Sequence, residues 1–493
     1  MKINRLVLIV IATLAISTVF ADTSAKSKNV TLTVTTKQIV VDGKKVTVNT
    51  IVQPDGTWGY YGTEGDDFNV TVKNDLTDPT VIHWHGLLLP NKDDGTELTQ
   101  ANIEPGKSYD YDFKLKQSGT FWMHSHYGYQ EQTYVDAPLI IYPKGYDSKN
   151  DVVIMFQDFS FKKPETIMKE LRSGAGNSHG SMDMGNSKVD EDISKSKSMN
   201  MDMAKSKAMN MDMSKGSTGG VDSQEDLNDV KYDAFLTNYK TTDNPEVKKV
   251  VPGETYRLRF INGSSSTNFW INLGDLKGTV VAVDGNDIVP IHGNEFQLAI
   301  AQRMDIEVTI PNKGVFPIIG QVEGKKNQTG IILTTTSTKN LTIDRGAKLK
   351  SKAFSYDQLK KLHAKDTSTI NTKSAKLVDI KLTGDMQKYV WQINGQEWPN
   401  VTPIELTYGK TYLFKIQNET GMSHPMHIHG HVFKVVSLNG KPITDGVIRD
   451  TIYVRPNSTV TVALKADVKC KWFLHCHMLY HMHSGMMTFV ETK

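Results

Sequence analysis

The chain has 493 residues, with 57 Lys+Arg against 54 Asp+Glu and a net charge of +3. At about 150 residues per domain this length fits about three domains. The near balance of charge argues against a nucleic-acid binder that works by neutralising phosphates. Hydrophobic residues at 38% suffice for packed cores but not for a polytopic membrane protein, and two cysteines cannot build a disulfide scaffold. The unusual entries in the composition are 20 Met and 15 His.

Lys2 and Arg5 precede an apolar run from Leu6 to Phe20, closed by Ala21 before Asp22. A basic start, a short apolar core and a small residue at its end predict a signal peptide over 1–21. The run is shorter than the roughly 20 residues that span a bilayer. No later segment is long and apolar enough to span. The mature chain is therefore expected in the periplasm, with no membrane span.

The body reads as all-β. Val30, Leu32 and Val34 alternate with Thr31, Thr33 and Thr35, and Val460, Val462 and Leu464 alternate with Thr459, Thr461 and Ala463. Period-two alternation marks a half-buried strand. One longer pattern recurs: Gly, an aromatic three residues on, apolar residues at five and seven, Asn at nine. Its copies are Gly65-Phe68-Val70-Val72-Asn74, Gly253-Tyr256-Leu258-Phe260-Asn262 and Gly409-Tyr412-Phe414-Ile416-Asn418. Three copies predict three related β domains.

The first interval between copies is the longer, and the excess is visible. From Ser173 to about Ser223 the chain is polar and Met-rich, with almost no aliphatic residues. Such a segment cannot bury a core. Its methionines are patterned: Met182 and Met184, then Met199, Met201 and Met203, then Met209, Met211 and Met213. The expected division is 22–145, 146–340 with an insertion at 173–223, a polar linker at 341–376, and 377–493.

Twelve of the 15 His fall in four short segments. These are His83-Trp84-His85, His124-Ser125-His126, the run containing His424, His427, His429 and His431, and His475-Cys476-His477 followed by His481, His483 and Met486. On a strand, residues i and i+2 project from one face and i+1 from the other. Each His-x-His thus offers two imidazoles to one side. His475 and His477 face one way and Cys476 the other, which puts a thiolate site and an imidazole-rich site back to back. So many imidazoles make a poor core, because each buried ring needs a partner. One Cys, two His and a weak axial Met form the ligand set of a blue-copper site. The eight further imidazoles exceed one zinc site and fit three coppers.

In that order, the four motifs resemble those of the multicopper oxidases, from about Asn29 to Lys493. His124-Ser125-His126 with Gln130-Glu131-Gln132, and His475 to Met482, are most similar to the periplasmic copper-resistance protein A oxidases. The resemblance implies three cupredoxin-like Greek-key β-sandwiches, with the middle one free of metal. It implies four copper ions. Type 1 copper would take His424, Cys476, His481 and axial Met486, with Met487 a neighbouring rival. Type 2 would take His83 and His427. The type 3 pair would take His85, His124, His126, His429, His475 and His477. Asp94 matches the acidic residue beside the trinuclear site, with a proton role. Several relatives carry an acidic residue directly after the His481 position, where this chain has Met482. His431 and His483 fall outside the ligand pattern, and His179, His292 and His363 are isolated.

The implied reaction is one-electron oxidation of a donor coupled to four-electron reduction of O2 to water. Soft thioethers favour Cu(I), so the Met-rich insertion points to Cu(I) as donor in copper tolerance. Met422 and Glu419 are weaker candidates for a Cu(I) docking site. Phenols and aromatic amines are the other donors. The alternatives are a periplasmic copper-binding protein without turnover and a copper nitrite reductase. A monomer is expected, and Cys470 is expected to be a free, buried thiol.

Overall fold

The structure is a computed structural model that describes residues 29–174, 227–366 and 370–493. The signal-peptide segment 1–21 lies outside the described residues, as do the Met182–Met213 repeats. Among the described residues no helix is long and apolar enough to cross a membrane.

The recurring sequence pattern becomes the same strand three times. Its copies are Asp67–Asn74, Thr255–Asn262 and Thr411–Asn418. Each lies inside its sheet with one parallel and one antiparallel neighbour. The parallel neighbours are Val30–Val41, Asp151–Phe159 and Lys376–Asp385. The antiparallel ones are Ser108–Lys114, Arg303–Thr309 and Ser458–Lys465. The three glycines open these strands at φ of +89°, +82° and +76°, a region that favours glycine.

The terminal asparagines do more than end a turn. Each is buried, and each clamps backbone groups. Asn74 Nδ2 donates to Asp78 O at 2.9 Å and Ile103 O at 2.8 Å. Asn262 Nδ2 donates to Thr267 O at 2.9 Å and Leu298 O at 3.0 Å. Asn418 Nδ2 donates to Met422 O, Val454 O and Arg455 O at 2.7, 3.2 and 3.0 Å. In all three, Oδ1 accepts the amide two residues on.

Each of these sheets packs on a second one. Phe68 meets Trp84 in the first sandwich, and Phe156 meets Phe269 in the second, at ring distances of 4.8 and 5.0 Å. In the third, Phe414, Ile416 and Val462 face Met426, Ile428 and Leu474. The second sheets of the first and third sandwiches carry the histidine strands Ile82–His85, Gly119–Ser125, His424–Ile428 and Cys470–Cys476.

The polar stretch after residue 340 is a packed strap rather than a loose tether. Ile343, Phe354, Tyr356, Leu362 and Ala364 are buried. Isolated bridges tie Ala364 to Ile288 of the middle sandwich and His363 to Gly446 of the last. A few apolar anchors at irregular spacing hold it, which a polar average conceals.

Candidate metal centre

The strand Cys470–Cys476 runs antiparallel to His424–Ile428, with Cys476 opposite Met426 and His475 opposite His427. Alternation then sends Cys476 to one side and the flanking imidazoles to the other. On the Cys476 side, Sγ lies 3.6 Å from His424 Nδ1 and 3.9 Å from His481 Nδ1, and those nitrogens are 3.2 Å apart. His481 comes from the short helix Leu479–His483. The far nitrogens are held: His424 Nε2 meets Thr420 Oγ1 at 2.8 Å, and His481 Nε2 meets Asp229 Oδ2 at 3.3 Å. Trp391 stacks on His481 at 4.0 Å. Burial pushes the Cys476 thiol up and the His424 imidazole well below its usual range.

Met486 shares the main apolar cluster with Cys476. Its N–H donates to His481 O, and its carbonyl accepts from Cys476 N–H at 3.0 Å. Met487 belongs to a separate cluster with Phe473, Leu479 and Met482. The neighbouring rival therefore faces away.

On the opposite side, eight imidazoles meet between the first and third sandwiches. His83 stacks on His429 at 3.8 Å, and His85 on His427 at 3.7 Å. His124 Nε2 faces His477 Nε2 at 3.3 Å, and His429 Nε2 faces His475 Nε2 at 3.0 Å. His83 Nε2, His85 Nδ1, His126 Nε2 and His427 Nε2 are buried without any partner. Overlapping triads such as His83-His427-His429 and His126-His429-His475 bring ligand atoms within 4.8 Å of one another. Burial, then neighbouring rings, hold His85, His124, His427, His429 and His475 well below the usual range. His477 is pushed down to about 3, with burial again the largest cause.

Three buried carboxylates each span one histidine from either sandwich. Asp94 reaches His83 Nδ1 at 3.3 Å and His429 Nδ1 at 3.0 Å. Glu131 reaches His124 Nδ1 at 3.1 Å and lies 3.7 Å from His477 Nδ1. Asp450 reaches His85 Nε2 at 3.2 Å through its side chain and His427 Nδ1 at 2.9 Å through its carbonyl. Glu97 adds a contact to His126 Nδ1 at 3.3 Å. Such partners fix ring orientation and tautomer. Burial, then Asp136 and Asp158, push Glu131 well above the carboxylate range.

One expectation needs correction. Cys470 is free but exposed, because it opens its strand at the sheet's end. Met422 is buried in the core, its carbonyl taken by Asn418, while exposed Glu419 pairs with Lys381 at 3.2 Å. The Met422 thioether is thus closed off from solvent, while the Glu419 carboxylate is open to it. His431 is buried, with Nδ1 bonded to His429 O, and His483 bonds Gly128 O. His292 is exposed. His179 lies outside the described residues.

Sequence reasoning missed roles for Asp229, Glu97, Asp450 and Arg303, and quoted Glu131 only as part of a likeness. Nothing in their neighbourhoods marks them, since the acidic residues meet their histidines through the fold, Asp450 and His85 from 365 positions apart, and Arg303 meets Asp450 in the same way.

Converging neutral imidazoles, a buried thiol among them and orphaned ring nitrogens fit copper, which accepts nitrogen and sulfur donors. Sequence models of the multicopper oxidase family match residues 61–145, 150–341 and 369–493. A multicopper oxidase of Mycobacterium tuberculosis is 29% identical, over 86% of this chain and 79% of that protein. Copper resistance protein A of Escherichia coli is 27% identical, over 87% of each. Among solved structures, a multicopper oxidase from Pseudomonas thermotolerans superposes with a TM-score of 0.67 at 21% identity, over 94% of this chain and 99% of that one. A laccase from Botrytis aclada gives 0.70 at 21%, over 94% and 87%. The chain belongs to the multicopper oxidases: it is an oxidoreductase built on three cupredoxin-like sandwiches.

Proposed function

We propose that this enzyme couples one-electron oxidation of a donor, Cu(I) before phenols, to four-electron reduction of O2 to two waters. The carrying observation is the strand His475-Cys476-His477, which joins a Cys–His–His site to the eight-histidine cluster. Type 1 copper is assigned to His424, Cys476, His481 and Met486, and type 2 to His83 and His427. The type 3 pair is assigned to His85, His124, His126, His429, His475 and His477. Bound there, copper would take electrons singly and deliver four to O2. Cys476 and its neighbours offer a short covalent route between the two sites. Asp94, bonded to a ring on each side, is assigned the proton role.

Two contacts support Cu(I) as donor. The helix Pro164–Arg172 runs into the insertion, and its Met168 accepts a hydrogen bond from Ser484, beside Met486. Asp229, just past the insertion, bonds His481. One root of the Met-rich segment thus bonds a residue assigned to the type 1 site, and the other reaches Ser484, two residues before Met486. Met182, Met184, Met199, Met201, Met203, Met209, Met211 and Met213 would gather Cu(I) there. An exported, periplasmic enzyme of copper tolerance is the setting.

Copper content and O2 consumption with Cu(I), Fe(II) and a phenol test this reading. Bound copper without O2 consumption would favour the sequestering alternative. Deleting 182–213 should lower Cu(I) oxidation and spare or raise phenol oxidation; unchanged Cu(I) kinetics would remove the insertion from the mechanism.

A further inference from the structure

Arg303 opens the strand Arg303–Thr309 of the middle sandwich, the one without a histidine cluster. Its guanidinium is wholly buried, yet it is held by all three sandwiches. Nε donates to Thr120 O of the first at 3.2 Å, and Nη1 to Ala301 O of the middle one at 2.9 Å. Towards the third, Nη1 donates to Asp450 Oδ1 at 2.8 Å and Nη2 donates to Oδ2. This is the two-pronged geometry that an arginine fork gives a carboxylate.

Asp450 passes that order on. Its Oδ1 accepts from Thr451 Oγ1 at 2.9 Å and lies 3.2 Å from His85 Nε2. The threonine oxygen is itself 3.1 Å from the same nitrogen. With its hydrogen spent on Asp450, that hydroxyl can only accept from His85. Both partners therefore demand a proton on Nε2, which leaves Nδ1 as the free donor atom. His85 is the odd ring of the eight. In the other seven Nδ1 faces a carboxylate or a backbone carbonyl, and Nε2 points inward. The residue after His85 is shaped to this pair as well. A Cβ on Gly86 would lie 2.5 Å from Asp450 Oδ2 and 2.6 Å from Arg303 Nη2.

We propose that Arg303 is a positioning residue which, through Asp450, turns His85 so that Nδ1 rather than Nε2 faces the trinuclear site. The inference rests on the copper reading of that site. It gives the middle sandwich a part in building a centre whose ligands all come from its neighbours.

The double variant R303M/D450L removes the pair without leaving a buried charge, and R303K keeps the charge but loses the fork. In the copper-free wild type, nitrogen-15 histidine spectra should show His85 protonated at Nε2. In both variants His85 should mix tautomers. Copper-loaded variants should keep the type 1 visible band. Their type 3 copper should become visible to electron paramagnetic resonance and bind about 10–100-fold more weakly. An unchanged tautomer and an unchanged type 3 signature, in either folded variant, would overturn the proposal. Failure of the wild type to bind a coupled copper pair would sink the copper reading instead, while the tautomer of the copper-free protein would still decide the role of Arg303.

Discussion

At the residue scale, the two cysteines differ in surroundings alone. Cys476 is buried among imidazoles, while Cys470 sits exposed at a strand's start. Thiol labelling of the copper-free protein should show one fast and one slow group, and copper should protect the slow one. C476S should abolish the type 1 visible band. D94N should leave that band intact and lower kcat by about 100-fold, the usual worth of a placed acid or base; full activity would remove Asp94 from proton transfer. Asp136 tests burial against charge. Among the described residues its carboxylate oxygens accept only from Gln157, at 2.8 and 3.1 Å, and burial raises it to about 8. The folded state therefore holds a proton that the unfolded chain releases near the ordinary carboxylate value. Between those values stability falls as pH rises, by about 1.4 kcal/mol per unit. D136N lacks this group. Its denaturation midpoint relative to the wild type should thus climb from pH 5 to pH 8 and then level off; a constant difference would contradict the raised value.

At the element scale, the repeated strand and its asparagine are the unit of construction. Asn262 is the clean test, because its sandwich holds no histidine cluster. Replacing it by alanine strips donors from two buried carbonyls, each worth about 1–3 kcal/mol when left unsatisfied. N262A should therefore lose about 2–6 kcal/mol in denaturant unfolding, with copper content unchanged in the folded fraction. A loss below 1 kcal/mol would show that water replaces the clamp.

At the scale of the whole molecule, the imidazoles of the eight-ring cluster come from two sandwiches that share no sheet. A ligand bound by both stabilises their contact, by about 4 kcal/mol at free ligand a thousandfold above Kd. Removing copper should therefore lower Tm, and the first and third sandwiches should lose cooperativity before the middle one. Scanning calorimetry of loaded and copper-free protein would check this; an identical Tm would separate the metal from the assembly.

Much of the site was legible in the chain because strand geometry is local. His-x-His on a strand must share a face, and the residue between must take the other, so His475, Cys476 and His477 announce two sites without any tertiary knowledge. The triple Gly-to-Asn pattern likewise announces three related sheets, since alternation and turn chemistry act over a few residues. What stayed hidden depends on contacts between distant segments. Only packing brings Asp450 to His85, Glu131 to both His124 and His477, and Arg303 from the middle sandwich to Asp450. Exposure was hidden too: Cys470, expected to be buried, is exposed, because depth follows from what a neighbouring sheet covers and not from residue type. Local sequence sets which way a side chain leaves its strand; the partner it finds there is settled by the folding of chain hundreds of residues away.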